Sequence, residues 1–358
     1  MEPIDYLKKF NNCGFQAYIV GGYVRDLLLG IESTDVDITT NAKPEDICQV
    51  LNINDQSKYG SISIKDGKYN IDITTFRKES RYRKHNRFKV KFISSLKNDL
   101  KRRDFTINAL CLDADGVIVD LFKGKKDLDN RIIRPIGMMS KKFKNDPLRI
   151  LRALRFSICY DYKLENKTFK YIIKHRNLIN EVSYTRKREE LERIFSSENV
   201  SKGMHFLNDL NILSFFDIED FSDIKYAGNI YGMWAQINYG SNYQFKKSER
   251  VLIENIKAIL KEGKIDSLNV FKYGPDASLI ASKIMGISSD KVREVYKNLD
   301  IHSPSELNIK GNEIENILKL KDKTKIKSIK ESLILQILSG NLTNEEKALK
   351  KYLSHEWK

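Results

Sequence analysis

The sequence has no apolar run long enough to cross a bilayer, and it is poor in cysteine. Where a signal peptide would be apolar, the first ten residues carry charges at Glu2, Asp5, Lys8 and Lys9. No Cys-x-x-Cys spacing occurs, so we expect reduced, mostly buried thiols rather than a disulfide framework or a zinc site. These absences predict a cytoplasmic protein that does not contact a membrane. The cysteines are Cys13, Cys48, Cys111 and Cys159.

Acidic side chains are outnumbered by basic ones, and the formal net charge of the 358 residues is +15. Between Arg77 and Arg103 twelve lysines and arginines stand against Glu79 and Asp99. A second basic cluster surrounds Arg149, and a third is a lysine-rich segment at 319–330. Basic stretches spread along a chain suit a long polyanion better than a small ligand. For the lysine-rich segment, a solvated surface is an equally good interpretation.

The chain has no fixed-period repeat. The spacing of its apolar residues changes near residue 137 from a pattern typical of strands to one typical of helices. A length of 358 residues suits two or more compact units, and 41% hydrophobic content suffices for their cores. Up to Ile136, short apolar runs between turn signals predict strands, with helices at Tyr23–Leu29 and Pro44–Leu51. This mixture indicates an α/β or α+β head. The predicted strands are Ala17–Val20, Val36–Thr40, Ser61–Ile64, Tyr69–Phe76, Phe88–Phe92, Ile107–Leu112 and Val117–Leu121.

Beyond Met139 the apolar residues recur at helical spacing, which predicts a largely helical remainder. Weak boundaries near Val200 and Gly263 suggest that this part is subdivided. The predicted helices include Asp146–Phe156, Phe169–Ile179, Arg186–Phe195, Lys202–Leu210, Arg250–Lys261 and Ile314–Leu320.

Two aspartates stand two positions apart in a predicted strand, Asp35-Val-Asp37. Their side chains should leave the same face of the strand, close enough to share metal ions. Carboxylate oxygens are ligands that Mg²⁺ prefers. A polar edge strand would explain the pair alone, but Gly21-Gly22 earlier in the chain ends a strand and opens a helix, where the backbone can approach a phosphate.

A third carboxylate, Asp72, lies between Ile71 and Ile73 in another predicted strand. If its neighbours face the core, Asp72 faces the opposite side, where an ionised group needs a partner or solvent. A metal-bearing cleft would supply that partner.

Four motifs in register resemble the polymerase-β-like nucleotidyltransferases of the CCA-adding and bacterial poly(A) polymerase type. The resemblance covers roughly residues 15–195. The motifs are Gly21-Gly22-Tyr-Val-Arg25-Asp26 with Asp35-Val-Asp37, Arg102-Arg103-Asp104-Phe-Thr-Ile-Asn108-Ala, Asp120-Leu-Phe-Lys-Gly124-Lys-Lys-Asp127, and Asn145-Asp146-Pro-Leu-Arg149-Ile-Leu-Arg152-Ala-Leu-Arg155-Phe.

The resemblance implies an α+β fold in which a polymerase-β-like head with a mixed sheet, 1–137, is followed by all-α parts. These would be a neck at 138–198 that selects the nucleotide and binds RNA, and a body and tail at 199–358 that bind tRNA. The implied activity is template-independent addition of C, C and A to the tRNA 3′ end from CTP and ATP, with release of pyrophosphate.

The same resemblance assigns roles to residues. Asp35 and Asp37 would hold two Mg²⁺ ions, and Asp72 would be a further catalytic carboxylate. Asp146 and Arg149 would read the edge of the incoming base, since aspartate accepts from the amino group of C or A and arginine supplies fixed donors. The other residues expected at the nucleotide are Gly22, Arg25, Arg103, Asn108, Arg152 and Arg155.

Asp146 has a simpler explanation as the N-cap of a helix whose first residue is Pro147. Against it, Asp146, Arg149 and Arg152 are spaced by three, so on a helix they form one polar stripe. A capping aspartate needs no such stripe. Asn145 departs from the family, which usually has glutamate there, and so removes a charge that could orient an arginine.

Residues 77–91 occupy the position of a loop that helps relatives to switch from C to A addition. Tyr82 and Phe88 place aromatic faces among its cations, which suits contact with RNA. Rival functions are a poly(A) polymerase, an enzyme adding only CC or only A, a small-molecule nucleotidyltransferase and a non-catalytic RNA-binding protein. Intact Asp35 and Asp37 count against the last of these.

Overall fold

The computed structural model describes residues 1–53, 60–82, 87–221 and 224–357, with the backbone alone at 79–82, 87–89 and 220–221. The chain forms two compact units, residues 1–194 and 195–358. No helix of the described residues is long and apolar enough to span a membrane.

The first unit combines helices with short strands. Its helices are α1 (Pro3–Asn12), α2 (Gly22–Leu28), α3 (Pro44–Leu51), α4 (Leu96–Arg102), α5 (Gly124–Asp129), α6 (Met139–Asn145), α7 (Leu148–Tyr160), α8 (Asn166–Lys174) and α9 (Tyr184–Phe195). Its strands are β1 (Ala17–Val20), β2 (Asp35–Thr40), β3 (Ser61–Asp66), β4 (Tyr69–Thr75), β5 (Arg77–Tyr82), β6 (Arg87–Phe92), β7 (Cys111–Leu112), β8 (Ile118–Val119), β9 (Ile132–Ile133) and β10 (Lys163–Leu164).

Six of these strands form one sheet in the order β3-β4-β2-β1-β7-β8. β2 and β4 are parallel, and the other neighbours are antiparallel, so the mixed sheet of the predicted fold is confirmed. Alternation explains why the central strands form, because Val36, Ile38, Ile71 and Ile73 are all buried on one face. The intervening side chains of β2 and β4 point to the other face.

The strand predicted at Ile107–Leu112 was wrong over its first half. Thr106–Asn108 is a turn of 3₁₀ helix, and only Cys111–Leu112 is a strand. The reason is tertiary, since the buried side chains of Thr106 and Asn108 bond to Asp127 and Asp104 rather than following the alternation of a sheet. Arg102 is the last residue of α4, and Arg103 follows it in an extended conformation.

The basic segment predicted as a loop at 77–91 has regular backbone pairing. β5 and β6 form an antiparallel two-stranded ribbon, with Arg77 opposite Phe92 and Tyr82 opposite Arg87. Residues 83–86 and the side chains of Tyr82 and Phe88 lie outside the described part, so their proposed contact with RNA stays a prediction.

Helix α7 carries the arginine motif and is amphipathic as predicted. Ile150, Leu151 and Leu154 are buried, whereas Arg149 and Arg152 remain partly exposed on the other side. Asp146 lies two residues before Leu148, the first residue of α7, and its backbone is extended (φ −147°, ψ 86°), whereas that of Pro147 is helical (φ −60°, ψ −21°). These angles fit an N-cap at Asp146 followed by Pro147, so the N-cap and the polar stripe are both compatible with the structure.

The second unit is mainly helical and also contains a two-stranded ribbon, β11 (Ile218–Phe221) with β12 (Ile237–Tyr239). A core of isoleucines and leucines, among them Ile314, Leu333 and Leu349, packs its last helices. The predicted helical remainder is confirmed. Its helices are α10 (Val200–Asp209), α11 (Ile230–Trp234), α12 (Lys247–Glu262), α13 (Ser267–Tyr273), α14 (Pro275–Met285), α15 (Ser289–Lys297), α16 (Gly311–Leu318), α17 (Lys325–Leu338) and α18 (Glu346–Glu356).

None of the four cysteines forms a disulfide, as predicted, but the expectation that most are buried was wrong. Cys111 is buried in the sheet, Cys13 is exposed, and Cys48 and Cys159 are partly buried.

Candidate active site

The three predicted carboxylates meet on one face of the sheet. Asp35 and Asp37 alternate with buried neighbours along β2, and Asp72 does the same along β4. The parallel register places Asp37 directly beside Asp72 and Asp35 beside Asn70. Adjacent strands are about 4.8 Å apart, so the carboxylates of Asp37 and Asp72 are close neighbours. We call Asp35, Asp37 and Asp72 the acidic face.

Asp35 and Asp72 accept hydrogen bonds from neutral side chains. The side-chain amide of Asn70 donates to Asp35 at 2.9 Å, and the hydroxyl of Ser63 donates to Asp72. Partial burial raises the pKa of the Asp37 carboxyl, the guanidinium of Arg103 opposes this shift, and Asp72 and Asp35 reinforce it. Asp37 nevertheless remains exposed on its cleft side.

Gly21 brings the backbone close to these groups. Its φ is +86°, a conformation that favours glycine. A Cβ at this position would lie 3.1 Å from Oδ2 of Asp37 and 3.3 Å from Nη1 of Arg103. Glycine is therefore required both by the turn from β1 into α2 and by the close approach of an acidic and a basic side chain.

Arg103 lies at this junction with an unsatisfied donor. Its Nε is buried and has no hydrogen-bond partner among the described residues. Burial and the charge of Arg102 lower the pKa of Arg103, while Asp99 and Asp37 oppose the shift. A buried guanidinium nitrogen without an acceptor is costly, so the site favours an added anion.

Arg25 is buried and held from several sides. Its Nη1 donates to Oδ1 of Asn108 at 2.7 Å, and its Nε donates to Asp26 at 2.9 Å. The guanidinium carbon lies 4.6 Å from the ring centroid of Tyr160, a cation–π contact. These partners fix the orientation of Arg25 before any ligand arrives.

The arginines of α7 are fixed by buried carboxylates. Asp104 pairs with Nη2 of Arg152 at 2.6 Å, and Glu190 of α9 pairs with Nε of Arg155 at 2.5 Å. Burial alone would raise the pKa of Asp104, but the charges of Arg152 and Arg149 outweigh it and hold that pKa at about 2. Asp104 is therefore ionised near neutral pH.

Asp146 and Arg149, for which a base-reading role is predicted, form an ion pair. Nε of Arg149 lies 3.3 Å from Oδ2 of Asp146, and its Nη2 donates to the main-chain carbonyl of Arg102 at 3.0 Å. With Arg152 and Arg155, these two residues form what we call the arginine set.

Asp37, the arginines described above and the arginine set line a cleft of about 480 Å³. Asp35 and Asp72 do not line it, but they lie beside Asp37 on the same sheet face. Among the described residues no group of three or more His, Cys, Asp or Glu side chains is arranged as a metal cluster. The predicted site residues that line the cleft are Asp37, Gly22, Arg25, Arg103, Asn108, Asp146, Arg149, Arg152 and Arg155.

The sequence did not reveal the side chains that hold these arginines in place. Asp104 and Glu190 stand inside segments noted for their resemblance to the family, but only the structure identifies them as the anchors of Arg152 and Arg155. No sequence motif pointed to Tyr160. Its contact with Arg25 connects the last residue of α7 with α2, which lies far away in the sequence.

Three family models match the chain in succession. Residues 17–134 match the poly(A) polymerase head domain, 161–218 match an RNA and SrmB binding site of polymerase A, and 240–353 match the tRNA nucleotidyltransferase domain 2. The first match covers the sheet that carries the acidic face. Fold and cleft thus define a nucleotidyltransferase of the poly(A) polymerase head class.

Comparison with curated relatives identifies the family within this class. The CCA-adding enzyme of Ligilactobacillus salivarius is 32% identical over 97% of this chain and 94% of its own length. The CCA-adding enzyme of Lactococcus lactis subsp. cremoris is 31% identical over the same shares. The chain belongs to the family of CCA-adding enzymes, which confirms the resemblance seen in the motifs.

Solved structures agree on the fold. The Bacillus stearothermophilus CCA-adding enzyme in complex with CTP aligns with a TM-score of 0.84 at 24% identity, over 99% of this chain and 97% of that one. The Thermotoga maritima CCA-adding enzyme complexed with tRNA-CCA aligns with a TM-score of 0.67 at 21% identity, over 99% and 96%.

Proposed function

We propose that this protein adds C, C and A to the 3′ end of tRNA from CTP and ATP without a nucleic-acid template, releasing pyrophosphate. Full-length similarity to curated CCA-adding enzymes supports this function, and so do fold relatives solved with CTP, with ATP and with tRNA. The observation that carries the proposal is a single cleft in which an acidic strand residue, Asp37, faces the arginine set.

The acidic face fits divalent cations. Its carboxylates lie side by side, those of Asp35 and Asp72 with neutral hydrogen-bond partners, and Mg²⁺ prefers carboxylate oxygens together with substrate phosphates. Asp35 and Asp37 would hold two Mg²⁺ ions, and Asp72 would support them from β4. Bound Mg²⁺ would lower the pKa of the tRNA 3′-hydroxyl and neutralise charge on the triphosphate and the pyrophosphate.

The residues around Gly21 would bind the triphosphate. The Nε of Arg103, which has no partner among the residues that the structure describes, offers a donor to a phosphate oxygen, and the fixed guanidinium of Arg25 adds positive charge. Gly22 keeps the backbone open to the nucleotide, and Asn108 holds Arg25 in place. Since transfer of a nucleotidyl group requires mainly alignment and charge neutralisation, pre-fixed donors account for much of the expected catalysis.

The arginine set would select the base. The carboxylate of Asp146 can accept from the amino group that C and A share, and Arg149 can donate to base acceptors. The ion pairs of Arg152 with Asp104 and of Arg155 with Glu190 hold α7 in place, and with it Arg149. A protein surface that reads the base edge would admit CTP and ATP and refuse UTP and GTP.

We also propose a division of labour along the chain. Residues 1–137 would carry the chemistry, 138–198 would select the nucleotide, and 199–358 would bind tRNA. The basic ribbon of β5 and β6 and the lysine-rich segment would contact RNA phosphates, which suits a cytoplasmic enzyme that recognises tRNA by shape and charge.

Extension of a defined tRNA tests the proposal. Purified protein with Mg²⁺, CTP and ATP should lengthen tRNA that lacks its terminal triplet by three nucleotides, read on a sequencing gel. A stop after CC, extension only of tRNA ending in CC, or long A tails would each replace the proposal with the corresponding partial enzyme or poly(A) polymerase. No extension with any substrate would reject it.

A further inference from the structure

Two cations from the neck helices bind adjacent carbonyl groups at the end of α4. Nζ of Lys142 in α6 donates to the main-chain oxygen of Arg103, and Nη2 of Arg149 in α7 donates to that of Arg102 at 3.0 Å. The last carbonyls of a helix lack intrahelical partners, so side-chain donors there fix the chain as it leaves the helix.

Arg103, whose carbonyl oxygen Lys142 binds, lines the cleft. Arg103 follows α4 in an extended conformation, with φ −62° and ψ 165°. Its Nη1 would lie 3.3 Å from a Cβ on Gly21, and its Nε is buried without a described partner. A shift of this backbone would move the guanidinium relative to Asp37 and Gly21.

We propose that Lys142 is a positioning residue for the nucleotide: by holding the carbonyl of Arg103 it aims the Arg103 guanidinium at the triphosphate. The inference rests on the proposed function, and it concerns a residue outside the motifs identified in the sequence. Lys142 does not line the cleft and acts only through Arg103.

Because Lys142 can lose its charge near neutral pH, its positioning role should depend on pH. Burial lowers the pKa of Lys142 to about 7; Arg149 and Lys101 act in the same direction, and Asp104 opposes them. These groups face Lys142 from α7, from α4 and from the segment after α4. The ammonium form predominates below pH 7 and the amine above it, and a charged donor binds a carbonyl more strongly.

Steady-state kinetics with full-length protein tests the inference. Lys142→Met keeps the length of the side chain and removes the donor. It should raise KM for CTP and ATP about tenfold, the usual scale for loss of one charged hydrogen bond, with kcat and KM for tRNA changed less than about threefold. Lys142→Arg, which keeps a donor and a permanent charge, should restore KM. Lys144→Met removes an exposed lysine of the same helix and should change nothing.

The pH profile provides a second readout. KM for CTP in the wild type should rise relative to that in Lys142→Arg as the pH passes from 6 to 9, because only the wild type loses the charge. A lysine with a merely structural role would alter the thermal unfolding midpoint without this pH-dependent change in KM.

Outcomes separate the inference from the proposed function. Equal KM values for Lys142→Met and Lys144→Met, with an active wild type, would overturn the positioning role and leave the function intact. A parallel pH profile of wild type and Lys142→Arg would do the same. An inactive wild type would instead reject the proposed function, and competition of CTP with a fluorescent nucleotide would still report whether Lys142 positions Arg103.

Discussion

The acidic face and the arginine set lie in the same unit but differ in how their charges are balanced. Asp35 and Asp72 accept hydrogen bonds from Asn70 and Ser63, which are neutral. Arg152 and Arg155 are instead paired with Asp104 and Glu190, both buried. In the acidic face, Asp37 has a cation, Arg103, as an electrostatic neighbour, whereas each of these two arginines has a buried carboxylate partner.

This difference explains why the two clusters suit different tasks. Neighbouring carboxylates whose hydrogen-bond partners are neutral attract cations from solution, and the sheet fixes where those cations would bind. Arginines that are already paired cannot act as loose phosphate clamps, but their planes are held in register and can present fixed donors to a base. Under the proposed function, Mg²⁺ would balance the charge of the acidic face, whereas Arg152 and Arg155 are already paired with carboxylates of the protein.

The largest expected effect comes from the acidic face. Asp35→Ala should lower kcat by about 10³-fold or more, because it removes a ligand from the proposed metal site, while the dissociation constant for tRNA changes little. Single-turnover extension and a filter-binding assay measure the two quantities. Asp115→Ala, which removes an exposed aspartate of the same unit, should retain activity. Retained turnover in Asp35→Ala would show that the acidic face does not hold the metal ions of the reaction.

The next effect concerns base choice. Arg149→Ala should reduce the preference for CTP and ATP over UTP and GTP by about 10- to 100-fold, since one bidentate base contact discriminates on that scale. Incorporation from each nucleotide alone gives the ratio. Arg186→Ala, at an exposed position of α9, serves as the control. An unchanged preference would mean that Arg149 only tethers the carbonyl of Arg102.

A smaller effect should appear in the stability of the arginine set. Asp104→Asn should lower the free energy of unfolding by about 2 kcal/mol at pH 7, since the native pKa of Asp104 is about 2 against 3.8 for the free side chain. This depressed pKa stabilises the folded protein above pH 4, and the contribution is lost as the pH falls through 2. Urea unfolding of wild type and variant should therefore converge between pH 4 and pH 2. A constant difference would contradict the electrostatic origin.

The smallest effect is expected from cations outside both clusters. Lys325 and Lys327 of the lysine-rich segment are exposed. Replacing both with alanine should weaken tRNA binding a few-fold and lower the slope of log affinity against log salt by about 2, without altering base choice. Replacement of Lys8 and Lys9, exposed on α1, is the matched control. Identical salt slopes would favour the solvated-surface interpretation.

Local periodicity was enough to predict much of this protein. Alternation in β2 placed Asp35 and Asp37 on one face, and the spacing of Asp146, Arg149 and Arg152 placed them on one stripe, because side-chain direction follows backbone geometry. The four motifs in register then predicted the family, which the full-length relatives confirm.

Pairing between distant segments was decided only by the tertiary structure. The parallel register that sets Asp72 beside Asp37, the 3₁₀ turn at Thr106–Asn108 and the contact of Tyr160 with Arg25 each join elements far apart in the sequence. No local period encodes such contacts, since they depend on which buried polar groups find partners when the core closes. The sequence by itself therefore determined which residues carry charge on which face, and folding determined which of those charges are neutralised.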